Sequence, residues 1–319
     1  MGVDNQGEKS VGRTRFQLSL DKDNLLEIND VWTLSAIRTQ DSRALSVTGL
    51  VPYRYWTALL SYSESSYDVP ILTNINLGGQ GRSTVMGIER LVYRDKSQQW
   101  SWMAQLATKE NERDINQIAL IPDELSLFKL GGRWLYRSPT QQGYIESVWV
   151  KGLTLLGAVK DSPNLPNAAP HHQFNKLEVN GLLRQSLSQN WTWLSQAKAQ
   201  YTSVGLMGSE QLSVGGDDTV RGFSPSIAQG DKGFYWRNQA SHPCLSQWLM
   251  QTSCLAFVDT ALIKNLSVPP TQKLIGAGLG LQYEHKLVSA SMNLGFPLYA
   301  DDSLSTDSAS LTFKVLLNY

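Results

Sequence analysis

Runs in which apolar and polar residues strictly alternate recur along this chain, yet no apolar stretch reaches the ~18 residues of a membrane-spanning helix. The last residues are the cleanest case: Leu311, Phe313, Val315, Leu317 and Tyr319 alternate with Thr312, Lys314, Leu316 and Asn318. Val288, Ala290, Met292, Leu294 and Phe296 oppose Ser289, Ser291, Asn293 and Gly295, while Ile275, Ala277, Leu279, Leu281 and Tyr283 oppose Gly276, Gly278, Gly280, Gln282 and Glu284. Val11 to Leu20 sets Thr14, Phe16, Leu18 and Leu20 against Arg13, Arg15, Gln17 and Ser19, and Trp191 to Tyr201 repeats the pattern. Side chains in a strand point to opposite faces in turn, so each run is a strand with one greasy and one polar face.

The connections sort the possible β architectures. Short polar turns (Asp21–Asn24, Asp95–Ser97, Glu284–Lys286) alternate with longer segments rich in Gly, Pro, Asn and Ser, near 67–83, 108–123, 157–173, 202–231, 263–273 and 300–309. Short turns at one end and long loops at the other are the mark of a transmembrane β-barrel. Roughly 20 residues per strand plus connection gives an all-β, antiparallel transmembrane barrel of about 16 strands. A soluble sandwich or propeller would show the same alternation. Against it stand the small and charged residues on the polar faces, the absence of a blade-length repeat, and aromatic residues near strand ends: Trp32, Tyr53, Trp56, Tyr93, Trp100, Trp102, Trp191, Trp193 and Trp236. A mean hydropathy of −0.25 suits a barrel as well as a soluble protein, because only every second strand residue faces lipid. Balanced charge, 28 basic against 28 acidic residues, argues against a nucleic-acid partner.

The segment Ser213–Phe223 (Ser-Val-Gly-Gly-Asp-Asp-Thr-Val-Arg-Gly-Phe) combines three glycines, which permit a tight turn beside a wall, with an arginine whose planar fork suits a carboxylate. In isolation it reads as a solvated turn with an exposed Arg. Its tetrapeptide Val220-Arg221-Gly222-Phe223, in a long loop over residues 202–231, resembles the inward-folded sixth extracellular loop of the BamA/TpsB outer-membrane superfamily. The whole chain resembles the barrel of the two-partner secretion transporters, the ShlB/FhaC/HecB-like TpsB group. Asp4-Asn-Gln-Gly7, Ser10, Gly12, the stretch from Asp21 to Asp30, Val51-Pro-Tyr-Arg-Tyr-Trp56, Ser61-Tyr-Ser63 and Tyr67 carry that likeness. The final strand, with Phe313 and Tyr319 on its apolar face, resembles the C-terminal strand that barrel-insertion machinery recognises in bacterial outer-membrane proteins.

The resemblance implies that Arg221 reaches Asp259 on the inner wall, within Phe257-Val-Asp259-Thr-Ala261, where Ala261 stands in place of an expected Gly. It also places Gln239 where the family has a Glu, which removes a second carboxylate from the loop arginine. The family carries a signal peptide, a plug helix and two POTRA domains ahead of the barrel; residues 1–319 correspond to the barrel only. On this reading Val11 to Leu20 is strand two, strand one is a stub, and closure against the last strand is compromised. The implied function is an outer-membrane pore exporting a large TpsA-like β-helical partner: an adhesin, haemolysin or contact-dependent toxin. Outer-membrane lipids and the insertion machinery are its other partners. A BamA-type assembly factor and a diffusion porin are the alternatives.

Other chemistry is sparse. Cys244 and Cys254 flank a short connection holding Trp248 and can form a disulfide or remain free thiols. His171 and His172 sit together in a loop without a third ligand nearby, so no metal and no cofactor is expected. No Gly-x-Ser-x-Gly or P-loop motif is present, and neither His242 nor His285 can be placed beside a nucleophile, so no catalytic residue is expected.

Overall fold

The computed structural model describes residues 1–72, 75–120, 122–244, 252–268 and 270–318. Among them sixteen strands form one antiparallel sheet: β1 (Gly2–Asp4), β2 (Arg15–Asp23), β3 (Val31–Arg38), β4 (Ser42–Tyr53), β5 (Trp56–Leu72), β6 (Ile75–Arg94), β7 (Gln98–Ile115), β8 (Asp123–Arg137), β9 (Gln141–Leu153), β10 (Asn175–Ser186), β11 (Thr192–Thr202), β12 (Lys232–Pro243), β13 (Thr252–Lys264), β14 (Gln272–Glu284), β15 (Val288–Ala300) and β16 (Ser310–Leu317). A two-residue piece, Ile118–Ala119, folds back on the end of β7. Every strand pairs with its neighbours in chain order, and β1 pairs with both β2 and β16, so the sheet closes into a barrel without a free edge.

Closure corrects the expectation of a compromised seam. Gly2, Val3 and Asp4 pair with Leu316, Val315 and Lys314 on one side and with Gln17, Phe16 and Arg15 on the other. Where β1 stops, the Asn5 side chain continues its work: Nδ2 donates to Leu311 O at 2.8 Å, and Phe313 N donates to Asn5 Oδ1 at 2.8 Å. An amide side chain thus supplies one donor and one acceptor to the last strand, as a peptide unit would. Strand two begins at Arg15 rather than Val11 and runs through Asp21 and Asp23, which had read as a turn. Asp21 stays in the ladder because it accepts from Thr33 Oγ1 across the pair at 2.7 Å.

The segments near 67–83 and 108–123 are mostly strand, not loop: β5 and β6 stay paired from Trp56/Arg90 up to Asp68/Gly78, and β7 extends to Ile115. Glycine misled there. The Tyr67 ring occupies the space where a Cβ on Gly79 would lie, so the glycine makes room for a cross-strand aromatic instead of breaking the strand. The long loops at 157–173, 202–231 and 300–309 are present.

The outward face is apolar and exposed, with Phe16, Leu20, Leu60, Met86, Ile88, Leu279, Leu294, Phe296 and Leu311 among its large residues. A continuous exposed belt of this kind would aggregate in water and is stable against lipid. Among the described residues no helix is long and apolar enough to cross a membrane. At the short-turn end aromatic rings cluster: Trp56 meets Trp102 edge-on with centroids 5.4 Å apart, and Trp100 stacks on Trp134 at 5.7 Å. Such amphipathic rings suit a membrane–water boundary. Met1 lies beside the end of β16, where its ammonium donates to Leu317 O at 2.9 Å. Tyr319 and Trp248 fall outside the described residues; Phe313 is on the outward face of β16.

The connection 24–30 illustrates how a turn at this end is built. Asp30 caps it, accepting from Leu26 N at 3.0 and 3.1 Å and from Trp32 Nε1 at 2.7 Å. Burial pushes the Asp30 carboxyl up, but the Leu26 N–H, the other backbone donors and the Trp32 indole outweigh it and hold the group below the ordinary carboxylate range. A carboxylate with a lowered pKa stabilises the fold above its unfolded pKa and loses that contribution as pH falls through the lowered value. The Leu26 amide resonance of the micelle-bound protein should therefore follow a transition whose midpoint lies below that of an ordinary aspartate. A midpoint above pH 4 would contradict this, and Asp30→Asn should remove the transition.

Candidate functional site

The connection between β11 and β12, residues 202–231, folds into the barrel. Its first limb runs through Gly205–Leu206, which pairs in parallel with Pro170–His171 of the neighbouring loop, and then a 3₁₀ turn at Gly208–Glu210. Leu212–Val214 and Ala228–Gly230 then pair as a hairpin whose tip carries Val220–Phe223. Gly215 (φ 112°), Gly216 (φ 82°) and Gly222 (φ 97°) adopt backbone conformations that L side chains rarely take. Gly222 also lies against the Phe296 backbone, where a Cβ would approach to 2.9 Å.

Arg221 is buried, and all three edges of its guanidinium have acceptors. Nε donates to Asp259 Oδ2 at 2.7 Å, Nη2 to Asp259 Oδ1 at 2.8 Å and Nη1 to Gln239 Oε1 at 2.8 Å. Asp259, fully buried on β13, also accepts from the backbone N–H of Arg221 (3.1 Å) and of Asn238 (3.2 Å). The guanidinium stacks over Phe257, with its carbon 3.9 Å from the ring centroid. Gln239 supplies a neutral amide oxygen, so the Arg221–Asp259 pair balances one charge against one. Gly276 and Gly295 on β14 and β15 make the recess that receives the Arg221–Gly222 backbone, and any side chain at either would collide with it.

The loop is held at three further points that sequence reasoning did not single out. Glu210 accepts from Lys109 Nζ on β7 (2.5 Å) and Lys176 Nζ on β10 (2.8 Å), with Lys176 also paired to Glu178 at 2.8 Å. Asp217 at the tip accepts from Asn293 Nδ2 on β15 (3.0 Å), Thr312 Oγ1 on β16 (2.9 Å) and Gln6 Nε2 (3.0 Å), so one carboxylate spans the seam from inside. Asp231 takes the backbone N–H of Leu206 (2.8 Å) and Leu266 (2.6 Å). The pair Asp217-Asp218 follows two glycines and had read as turn residues; nothing in their spacing reveals which wall they meet.

The interior is also drier than alternation implied. Leu212, Val214, Val220, Phe223 and Ala228 of the loop pack with Tyr235, Ala261, Ile263 and Leu274 of the wall, so Ala261 contributes its methyl to this core. A second cluster joins Leu125, Leu127, Val150 and Phe174 to Leu206. Several inward positions where the loop packs, on β8, β9, β12, β13 and β14, are therefore apolar, while inward positions of β4 and β5 carry hydroxyls, as in the Thr48–Ser61 contact at 2.9 Å. Cys244 and Cys254 are bridged, with Cα atoms 5.7 Å apart, across a connection whose residues 245–251 are not described. His172 lies between Asp161 (3.1 Å) and Asp123 (3.5 Å), and no metal-holding cluster occurs among the described residues.

The sequence profile of the haemolysin secretion/activation proteins ShlB/FhaC/HecB matches residues 1–283. The chain belongs to that family. It is 25% identical to the outer membrane transporter CdiB of Dickeya dadantii over 99% of this chain and 59% of that protein. It is 27% identical to the hemolysin transporter protein HpmB of Proteus mirabilis over 93% of this chain and 56% of that protein. The solved structure of CdiB from Escherichia coli superposes with a TM-score of 0.92 at 26% identity, covering 99% of this chain and 61% of that one. The chain thus spans somewhat over half the length of these relatives. This is a family of secretion proteins rather than enzymes.

Replacing Arg221 with Ala leaves Asp259 buried without its cation, at a cost of about 3–5 kcal/mol to loop docking. Amide exchange across 212–230 should accelerate by at least about a hundredfold while the β13–β15 ladder is unchanged. Asp217→Ala removes hydrogen bonds of a half-buried group, about 1–3 kcal/mol, and should give a smaller acceleration. Equal exchange in wild type and Arg221→Ala would contradict the latch.

Proposed function

We propose that this chain forms the outer-membrane translocation pore of a two-partner secretion system, exporting one large secreted protein. The observation that carries the reading is a hairpin of the chain's own loop latched by a buried Arg221–Asp259 pair inside a closed, lipid-facing barrel, in a member of a secretion family. In the export reading, the pair holds the loop against β13–β15 and so fixes the shape of the passage.

The hydroxyl-lined part of the wall supports passage of an unfolded chain. Side chains such as Thr33, Ser46, Thr48, Ser61 and Ser63 line up by register on inward positions of β3–β5. Short hydroxyls offer hydrogen bonds without a large apolar surface, so a sliding polypeptide finds no deep minimum. Folding of the cargo outside the cell would make its movement irreversible without nucleotide. The short-turn end faces the periplasm, and the loops near 157–173 and 300–309 face the exterior. The cargo is of the TpsA type, as the names of the CdiB and hemolysin-transporter relatives suggest.

The test is secretion by the full-length protein. Arg221→Ala should abolish appearance of the partner in the medium, while the amount of barrel in the outer membrane and its heat-modifiable gel mobility stay at wild-type levels. Normal export by a correctly inserted Arg221→Ala protein would remove the latch from the mechanism.

A further inference from the structure

On the outward face, strands β2–β6 and the Met1–Gly2 terminus border a groove of about 740 Å³. Its floor is apolar, formed by Phe16, Leu18 and Leu45. Its rim carries three exposed guanidinium groups, Arg38, Arg43 and Arg82. The register makes their proximity costly. Arg38 and Arg43 are direct partners across β3 and β4, and like charges facing each other in a ladder repel.

The protein does little to offset that repulsion. Arg43 Nε donates to the Ser66 hydroxyl at 2.9 Å, and Arg82 reaches Glu110 only at 3.5 Å with both ends exposed. Among the described residues neither Arg38 nor Arg43 forms an ion pair. Glu64, directly opposite Arg82 in the β5–β6 ladder, accepts from Tyr62 Oη at 3.3 Å, so the cations left without a facing carboxylate are Arg38 and Arg43. Cations next to a lipid-facing apolar surface are unfavourable unless an anion meets them.

We propose that this groove binds a phosphorylated lipid of the surrounding leaflet. Its acyl chains lie over Phe16, Leu18 and Leu45, and a headgroup phosphate sits between Arg38 and Arg43 within reach of Arg82. The amphiphilic shape follows from the floor and rim together. The choice of phosphate follows from the fork of the guanidinium, which meets such oxygens in pairs. Assigning the leaflet as the outer one rests on the outer-membrane reading above; the binding itself does not.

Native mass spectrometry of the protein in detergent micelles tests it. The probes are lipid A with both phosphates and the same glycolipid dephosphorylated. Wild type should retain the phosphorylated form at least about tenfold better, and Arg38→Gln/Arg43→Gln should abolish that preference. Arg90→Gln, which acts at the opposite end over Trp56, should keep it. Excess inorganic phosphate should leave the lipid bound. Heat-modifiable mobility checks that each variant is folded, and Arg43→Gln alone serves if the double variant is not. Equal retention of the two lipids, full retention by the folded arginine variants, or displacement by inorganic phosphate would each overturn the proposal. Because no secretion partner is present, a failure here is separable from a failure of the export reading.

Discussion

A buried guanidinium–carboxylate pair persists only when its remaining donors and acceptors are also satisfied, and the interior of this barrel is organised around meeting that condition. Arg221 spends its donors on Asp259 and Gln239, and Asp259 takes two backbone N–H groups besides. The hairpin must therefore approach β13–β15 at backbone distance, which requires Gly222 on the loop and Gly276 and Gly295 on the wall. Once there, Val220 and Phe223 on either side of the pair enter a dry core that excludes water from it.

Several anchors act together and face different parts of the wall. Glu210 holds the first limb to β7 and β10, Arg221 holds the tip to β13, and Asp217 reaches β15, β16 and Gln6. The loop is consequently a strap across the lumen and also an interior brace for the seam, whose β1 contributes only three residues. Outside, Asn5 extends the same seam with its side-chain amide.

Alternation and connection length made the barrel legible, because a lipid-facing strand has a strict period of two. Arg221 and Asp259 were legible through a motif whose spacing resembles a family pattern, and residue identity alone would have left Arg221 as an exposed turn cation. Strand extents were less so: Gly79 reads as a loop former until the ring of Tyr67 is seen to need its space. Glu210 and Asp217 were invisible, since the partners Lys176, Lys109, Asn293 and Thr312 lie 34 to 101 residues away. Such long-range polar contacts leave no local period. The dry upper lumen escaped notice for a related reason: an inward apolar residue such as Leu274 breaks the alternation and reads as noise until the loop that covers it is in place.

The most direct measurement is a double-mutant cycle on loop opening, with Arg221→Ala, Asp259→Ala and the double variant followed by amide exchange of residues 212–230. If the two side chains hold the loop through each other, the double variant is less harmed than the sum of the singles, with a coupling of about 1–3 kcal/mol. Additivity within about 0.5 kcal/mol would contradict the account, because each side chain would then be acting alone.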